Sequence, residues 1–121
     1  MKQFLFGLMV PAFLMMMSVD VQASDLKAIK DEDTFRAMIV GKKLTWLDGD
    51  GTVTVRKNGK ISGRFDRQRL VGQWVWSKGR FCRTVKLGKN DAREACQQVH
   101  ASSDRVRFTD TKGNRVTNYS Y

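Results

Sequence analysis

Histidine, proline and cysteine are almost missing: 121 residues contain one His, one Pro and two Cys. Each scarcity excludes something. Two thiols and one imidazole are too few for a zinc site, which takes about four protein ligands in its structural form. His100 is the one side chain whose ordinary pKa lies near neutrality. No Ser or Cys in a nucleophile context accompanies it, so base-assisted nucleophilic catalysis lacks its parts, and a polar surface residue at a strand end is the plainer reading. The ten glycines fall at turns or singly and never build the Gly-rich strand-to-helix loop that cradles phosphates. That removes a Rossmann-type nucleotide enzyme. Asp48-Gly49-Asp50-Gly51-Thr52 opens like a calcium loop, but Val53 stands where the EF-hand pattern needs its Gly and Gly59 where it needs its Glu, so a plain turn is expected. No catalytic residue, cofactor or metal site is assigned.

Long apolar runs are confined to one stretch. Lys2 precedes an uncharged run from Phe4 to Met17, and Val21-Gln22-Ala23 follows it. These are the three zones of a secretory signal peptide over residues 1–23, cleaved after Ala23. A retained anchor is the rival reading, but the run is shorter than the roughly 20 residues that cross a bilayer. No Cys lies near the cleavage site to take a lipid. The expectation is an exported protein, periplasmic or secreted, comprising residues 24–121 as a single domain with no transmembrane segment left. Pro11, the only proline, departs with the signal.

What is abundant is positive charge. The whole chain carries a formal +10, from 22 basic and 12 acidic side chains. Residues 24–41 hold 3 basic and 4 acidic groups, whereas from Lys42 onward there are 18 basic and 7 acidic, about +11. Such a field attracts polyanions. Anionic lipid headgroups, acidic glycans and acidic proteins are the candidate partners outside the cytoplasm, with nucleic acid the least favoured. A field that only keeps the protein soluble is the bland alternative.

Residues 24–40 contain one helix signal. Asp33 or Thr34 can cap it, Asp31, Glu32 and Asp33 suit the positive end of its dipole, Phe35, Met38 and Ile39 recur at helical spacing, and Gly41 supplies a stop. The helix is expected over about 33–40, with Leu26 and Ile29 able to extend its face upstream. From Lys42 the period changes to two. Leu44 and Trp46, Val53 and Val55, Ile61, Gly63 and Phe65, Trp74 and Trp76, Phe81 to Leu87, Glu94 to His100, Arg105 to Thr109 and Arg115 to Tyr121 read as about eight short strands. Asn58-Gly59 is the strongest hairpin signal and suggests a type I′ turn. The fold class is mainly β: an antiparallel meander closing as a small barrel or forming a strongly curved sheet, with one short N-terminal helix and one disulfide.

The cysteines test that register. If Phe81–Leu87 and Glu94–His100 form a hairpin centred on Lys89, Cys82 lies opposite Cys96 and Thr84 opposite Glu94, at roughly 4.5–5.5 Å between Cα atoms. In an oxidising compartment the pair reads as a disulfide.

Trp74 and Trp76 share a face, with Phe65, Phe81 and Phe108 plausible neighbours. They are either core, which a small β domain needs, or an aromatic wall flanked by the candidate anion-binding residues Arg64, Arg67, Arg69, Arg80 and Arg83, as in a stacking platform. Tyr119 and Tyr121 are expected to face solvent.

Taken in order, Lys60-Ile61-Ser62-Gly63, Gly72-Gln73-Trp74-Val75-Trp76, Gly79-Arg80-Phe81-Cys82-Arg83, Cys96-Gln97-Gln98-Val99 and Arg105-Val106-Arg107-Phe108 resemble a family of small exported alphaproteobacterial proteins. Its marks are G-x-W-x-W, F-C-R and C-Q-x-V, and the resemblance spans about residues 33–115. The family has no settled activity. Some members bear a dihydrodipicolinate-reductase label, which the missing nucleotide loop and the short chain do not support. The leading expectation is therefore an exported, non-catalytic binding or interaction protein with a basic surface for an anionic envelope partner. The alternatives are an inhibitor or immunity-type protein against an acidic partner, and an enzyme of unknown reaction resting on His100.

Overall fold

A computed structural model describes residues 25–121; the expected signal peptide, residues 1–23, lies outside the described residues. The first element is a short strand, β1 (Lys27–Ile29), in the segment where Leu26 and Ile29 were able to extend the helix face. Its backbone pairs along residues 99–101, just past the point where another strand's pairing with the same segment ends at Gln97. That free stretch of edge offers hydrogen bonds that a helical turn there would forgo. Helix α1 (Glu32–Met38) follows, capped by Asp31 rather than by Asp33 or Thr34. The extended Asp31 backbone lets its carboxylate accept from the Thr34 amide at 3.0 Å and from the Thr34 hydroxyl at 2.9 Å. Seven residues are too few to hold a helix in water alone. Phe35 and Ile39, both fully buried, hold it down; burial of a Phe contributes about 1.5–3 kcal/mol.

Eight strands then run as an uninterrupted antiparallel meander: β2 (Lys43–Trp46), β3 (Gly51–Val55), β4 (Lys60–Phe65), β5 (Gln68–Ser77), β6 (Arg80–Leu87), β7 (Arg93–Ala101), β8 (Arg105–Asp110) and β9 (Val116–Ser120). The last returns to the first, Thr45 opposite Ser120 and Trp46 opposite Tyr119, so the sheet is a closed barrel rather than an open one. Closure leaves the meander no unpaired edge. Among the described residues no helix is long and apolar enough to cross a membrane.

Turn chemistry departs from expectation at one hairpin. Lys57-Asn58-Gly59 forms a three-residue loop in which Gly59 alone has positive φ (84°), Arg56 N–H donating to the Lys60 carbonyl at 2.8 Å. A two-residue turn at Asn58-Gly59 would set Ile61 opposite Arg56. The longer loop sets it opposite Val55, so that both enter the core. Type I′ geometry appears instead at Asp66-Arg67 (φ 47° and 66°) and at Lys78-Gly79 (φ 53° and 75°), each joining strands paired right up to the turn.

Inward positions form an aromatic column from the helix end to the other mouth. Phe35 of α1 stacks near Trp76, Trp74 and Phe81 at 5.0, 5.4 and 5.2 Å between ring centres. Phe81 meets Phe108 at 5.2 Å, Phe108 meets Tyr119 at 5.7 Å, Tyr119 meets Phe65 at 6.4 Å and Phe65 meets Trp46 at 5.3 Å. Tyr119, expected at the surface, is buried because it occupies an inward position of β9 beside Phe65 and Phe108. Tyr121 is half-buried, its hydroxyl donating to the Ser102 carbonyl. Gly72 also points inward, and a Cβ there would press on the Thr84 carbonyl and come within 2.8 Å of Val85, so close strand approach requires Gly at this bend.

Cys82 and Cys96 are bonded, opposite each other in the β6–β7 pair with Cα atoms 4.0 Å apart. Thr84 lies opposite Glu94, as the hairpin register requires.

Candidate functional site

The five candidate arginines part company in the barrel. Strand alternation turns Ile61, Leu70 and Trp74 inward and hence Ser62, Arg64, Arg69 and Val71 outward. Arg64 and Arg69 are direct cross-strand partners, and Arg67 sits at the tip of the turn between them. All three are exposed. One step along the strands, Lys43, Thr54, Ser62, Val71 and Lys86 lie in a single cross-strand row. Arg56 reaches the same face, its Nε donating to the Ser62 hydroxyl at 3.0 Å. The outer wall of β2 to β6 is thus cationic and hydroxyl-bearing. Among the described residues the ion pair within 4 Å is Arg36 with Glu32, on the helix; none involves this wall. Acids border this wall at Asp50 and Asp66, whose backbones are hydrogen-bonded beside the hairpin tip, and at Glu94, which shares a hydrogen bond with Thr84 at 3.3 Å. Arg80 lies at the helix end of β6, well away from this face.

Arg83 goes the other way, into the barrel. It takes the inward position opposite Trp74 and reaches the open end, where its Nη1 donates to the Arg93 carbonyl at 3.3 Å. Burial lowers its pKa from the ordinary arginine value, while the Asp110 carboxylate opposes that shift. Asp110 itself accepts from Gln97 Nε2 at 2.5 Å. Tyr119, which lines the same neck as Arg83, has its phenol pushed up to about 12 by burial, with Arg83 opposing. Around them the barrel is hollow. An inner chamber of about 80 Å³, walled by Leu44, Val53, Ile61, Phe81 and Phe108, adjoins a mouth of about 580 Å³. Phe65, Leu70, Arg83, Val85, Thr117 and Tyr119 line both and form the neck between them.

Trp74 is core rather than an open aromatic wall. It is 4% exposed, its Nε1 donates to the Arg56 carbonyl at 2.9 Å, and Arg36 of α1 lies over its ring at 4.9 Å. Trp76 is also turned toward Phe35. His100 points outward between β1 and β8, opposite Ala28 and Arg107, and its Nδ1 is buried with no hydrogen-bond partner. Neither a carboxylate nor a nucleophile pairs with it there. Among the described residues no three of His, Cys, Asp and Glu gather into a metal-binding group.

The residues that sequence reasoning passed over are those of the mouth: Trp46, Arg93, Arg115 and Tyr119. One signal was readable: Phe81, Arg83, Val85 and Leu87 share a strand face, so an apolar stripe carries a single charge. Trp46 and Arg115 could not be brought to that charge without knowing that β9 returns to β2. No family model, curated protein or solved structure matches the chain.

Proposed function

We propose that this is an exported, non-catalytic binding protein that meets an anionic partner of the cell envelope on the outer wall carrying Lys43, Arg56, Arg64, Arg67, Arg69 and Lys86. The supporting observation is the direct opposition of Arg64 and Arg69 with, among the described residues, no carboxylate in ion-pair range. Like charges directly opposite on a sheet oppose folding by a few tenths of a kcal/mol or more, and an anion bridging them relieves the repulsion. The hydroxyls of Thr52, Thr54 and Ser62, on the same wall, add neutral donors for phosphate, sulfate or carboxylate oxygens. Export rests on the signal-like N-terminus, and the Cys82–Cys96 disulfide is compatible with an oxidising compartment.

The test uses oxidised protein beginning at Ser24, titrated with anionic lipid vesicles, neutral vesicles and an acidic polysaccharide at low and physiological salt. A double variant, Arg64→Gln with Arg69→Gln, is compared with Arg105→Gln plus Lys112→Gln, which removes equal charge elsewhere. At about 1 kcal/mol per cation near an anionic surface, the first pair loses roughly 30-fold in affinity, and the control pair loses far less. Equal losses from both pairs would reduce the basic wall to a general field and sink the assignment. Preference for vesicles or for polysaccharide names the partner class.

A further inference from the structure

The helix-capped end of the barrel is filled with aromatic rings, but the other end is hollow and holds one charged group, Arg83, in its neck. We infer that this open end is a second binding site, independent of the outer wall, for a small organic monoanion with an apolar body. The acid group meets Arg83 at the neck, and the body fills the mouth against Trp46, Phe65, Leu70, Leu87 and Val116.

Three observations converge on that ligand. The first is the state of Arg83. Its guanidinium offers five donors, yet one long hydrogen bond to a backbone carbonyl occupies it, and among the described residues no carboxylate lies within 4 Å. An anion placed there forms charge-assisted bonds with the donors that the one backbone bond leaves free. The second is size. The mouth, about 580 Å³, falls within the roughly 300–1,000 Å³ of small-molecule pockets. The inner chamber, about 80 Å³, is about half the 150 Å³ cavity that accepts a benzene ring, so the body stays in the mouth and does not thread to the helix. The third is the balance of charge. At the rim Arg93 and Arg115 are accompanied by Asp48, Asp66 and Asp91. Asp110 faces Arg83 from β8 at longer range. A polyanion gains little from such a mixed rim, whereas a single acid group on an apolar body matches one deep cation in an apolar cup. An alkyl or aryl carboxylate is the simplest member of that class.

The experiment titrates oxidised protein with octanoate and with octan-1-ol, which have equal chain length but differ in charge, and follows heat and tryptophan emission. Octanoate saturates the protein at least tenfold more tightly than octanol. Arg83→Met brings the two ligands within about twofold, since a charge-assisted bond contributes about 1.5–3 kcal/mol. Arg105→Gln, an exposed charge on β8, keeps the preference. Val116→Trp, which fills the mouth from its rim, weakens octanoate tenfold or more and serves if Arg83→Met does not fold. No saturation by octanoate, octanol binding as tightly, an unchanged preference in Arg83→Met, or full binding by Val116→Trp each overturns the inference.

Discussion

Arg83 is the position where stability and binding are expected to pull apart, and Arg83→Met separates them. In the ligand-free protein the half-buried side chain removes a positive charge from part of its water and receives in return one 3.3 Å hydrogen bond to the Arg93 carbonyl. Desolvating an ion costs several kcal/mol even after relaxation, while a hydrogen bond to a charged group returns about 1.5–3 kcal/mol. Methionine keeps an unbranched stem in the neck that Phe65, Leu70 and Val85 also line, and it carries no charge. The freed Arg93 carbonyl lies at the mouth, where water can reach it. The balance favours the variant by about 1 kcal/mol, and replacing buried ionic groups by apolar ones commonly gives gains of this size. For a domain of this length that corresponds to a rise in Tm of roughly 4–8 °C. Urea unfolding of the oxidised protein, read by tryptophan emission, measures it as a higher midpoint at unchanged slope. A loss of more than about 1 kcal/mol would show that Arg83 holds the barrel together and would remove the reason for assigning it to a ligand.

Three further outcomes follow from the fold. Reducing Cys82–Cys96, or replacing both residues by Ala, lowers unfolding free energy by about 3 kcal/mol, as closing a loop of about 15 residues implies; urea midpoints with and without reductant check it, and coincident midpoints contradict it. Gly72→Ala forces a methyl against the Thr84 carbonyl and Val85 and destabilises by about 1–3 kcal/mol, which calorimetry reads as a lower Tm. Burial raises the Tyr119 phenol from 10.0 to about 12, so between those values the folded protein holds a proton that the unfolded chain has lost. Stability from this group is full below about pH 10 and disappears as pH climbs through the folded value. Tyr119→Phe flattens that alkaline decline, and tyrosinate absorbance in the wild type shows a late-titrating phenol that the variant lacks.

Much of the barrel was readable because local pattern and global fold agree. Period-two alternation put Val53 with Val55, Ile61 with Phe65 and Val106 with Phe108 on shared strand faces, faces the barrel turns inward, and the hairpin around Lys89 set the disulfide partners opposite each other. Where reading failed, a local preference lost to a tertiary one. Asn58-Gly59 favours a two-residue turn, but keeping Val55 and Ile61 on one face outweighs it. Leu26 and Ile29 suit helical spacing, but residues 27–29 meet an unpaired stretch of β7. Tyr119 carries a polar hydroxyl near the chain end, yet the closure of β9 on β2 seals its ring inside. Of the candidate site, Arg64, Arg67 and Arg69 were readable as one cluster because a single hairpin holds them. Arg80 and Arg83 were grouped with them wrongly as neighbours in space: sequence proximity does not say that one lies at the helix end and the other faces the lumen.

The most direct measurement of the central claim is a residue-resolved NMR titration of the oxidised protein with an acidic oligosaccharide and with short-chain anionic lipid, at physiological salt. Binding at a built site moves the amides and guanidinium signals of Arg64 and Arg69, with Thr52, Ser62 and Lys86 following, and leaves the cations of β8 and Arg80 in place. Small shifts spread over every exposed Lys and Arg, vanishing together as salt rises, would show that the charge acts only as a field and would contradict the claim.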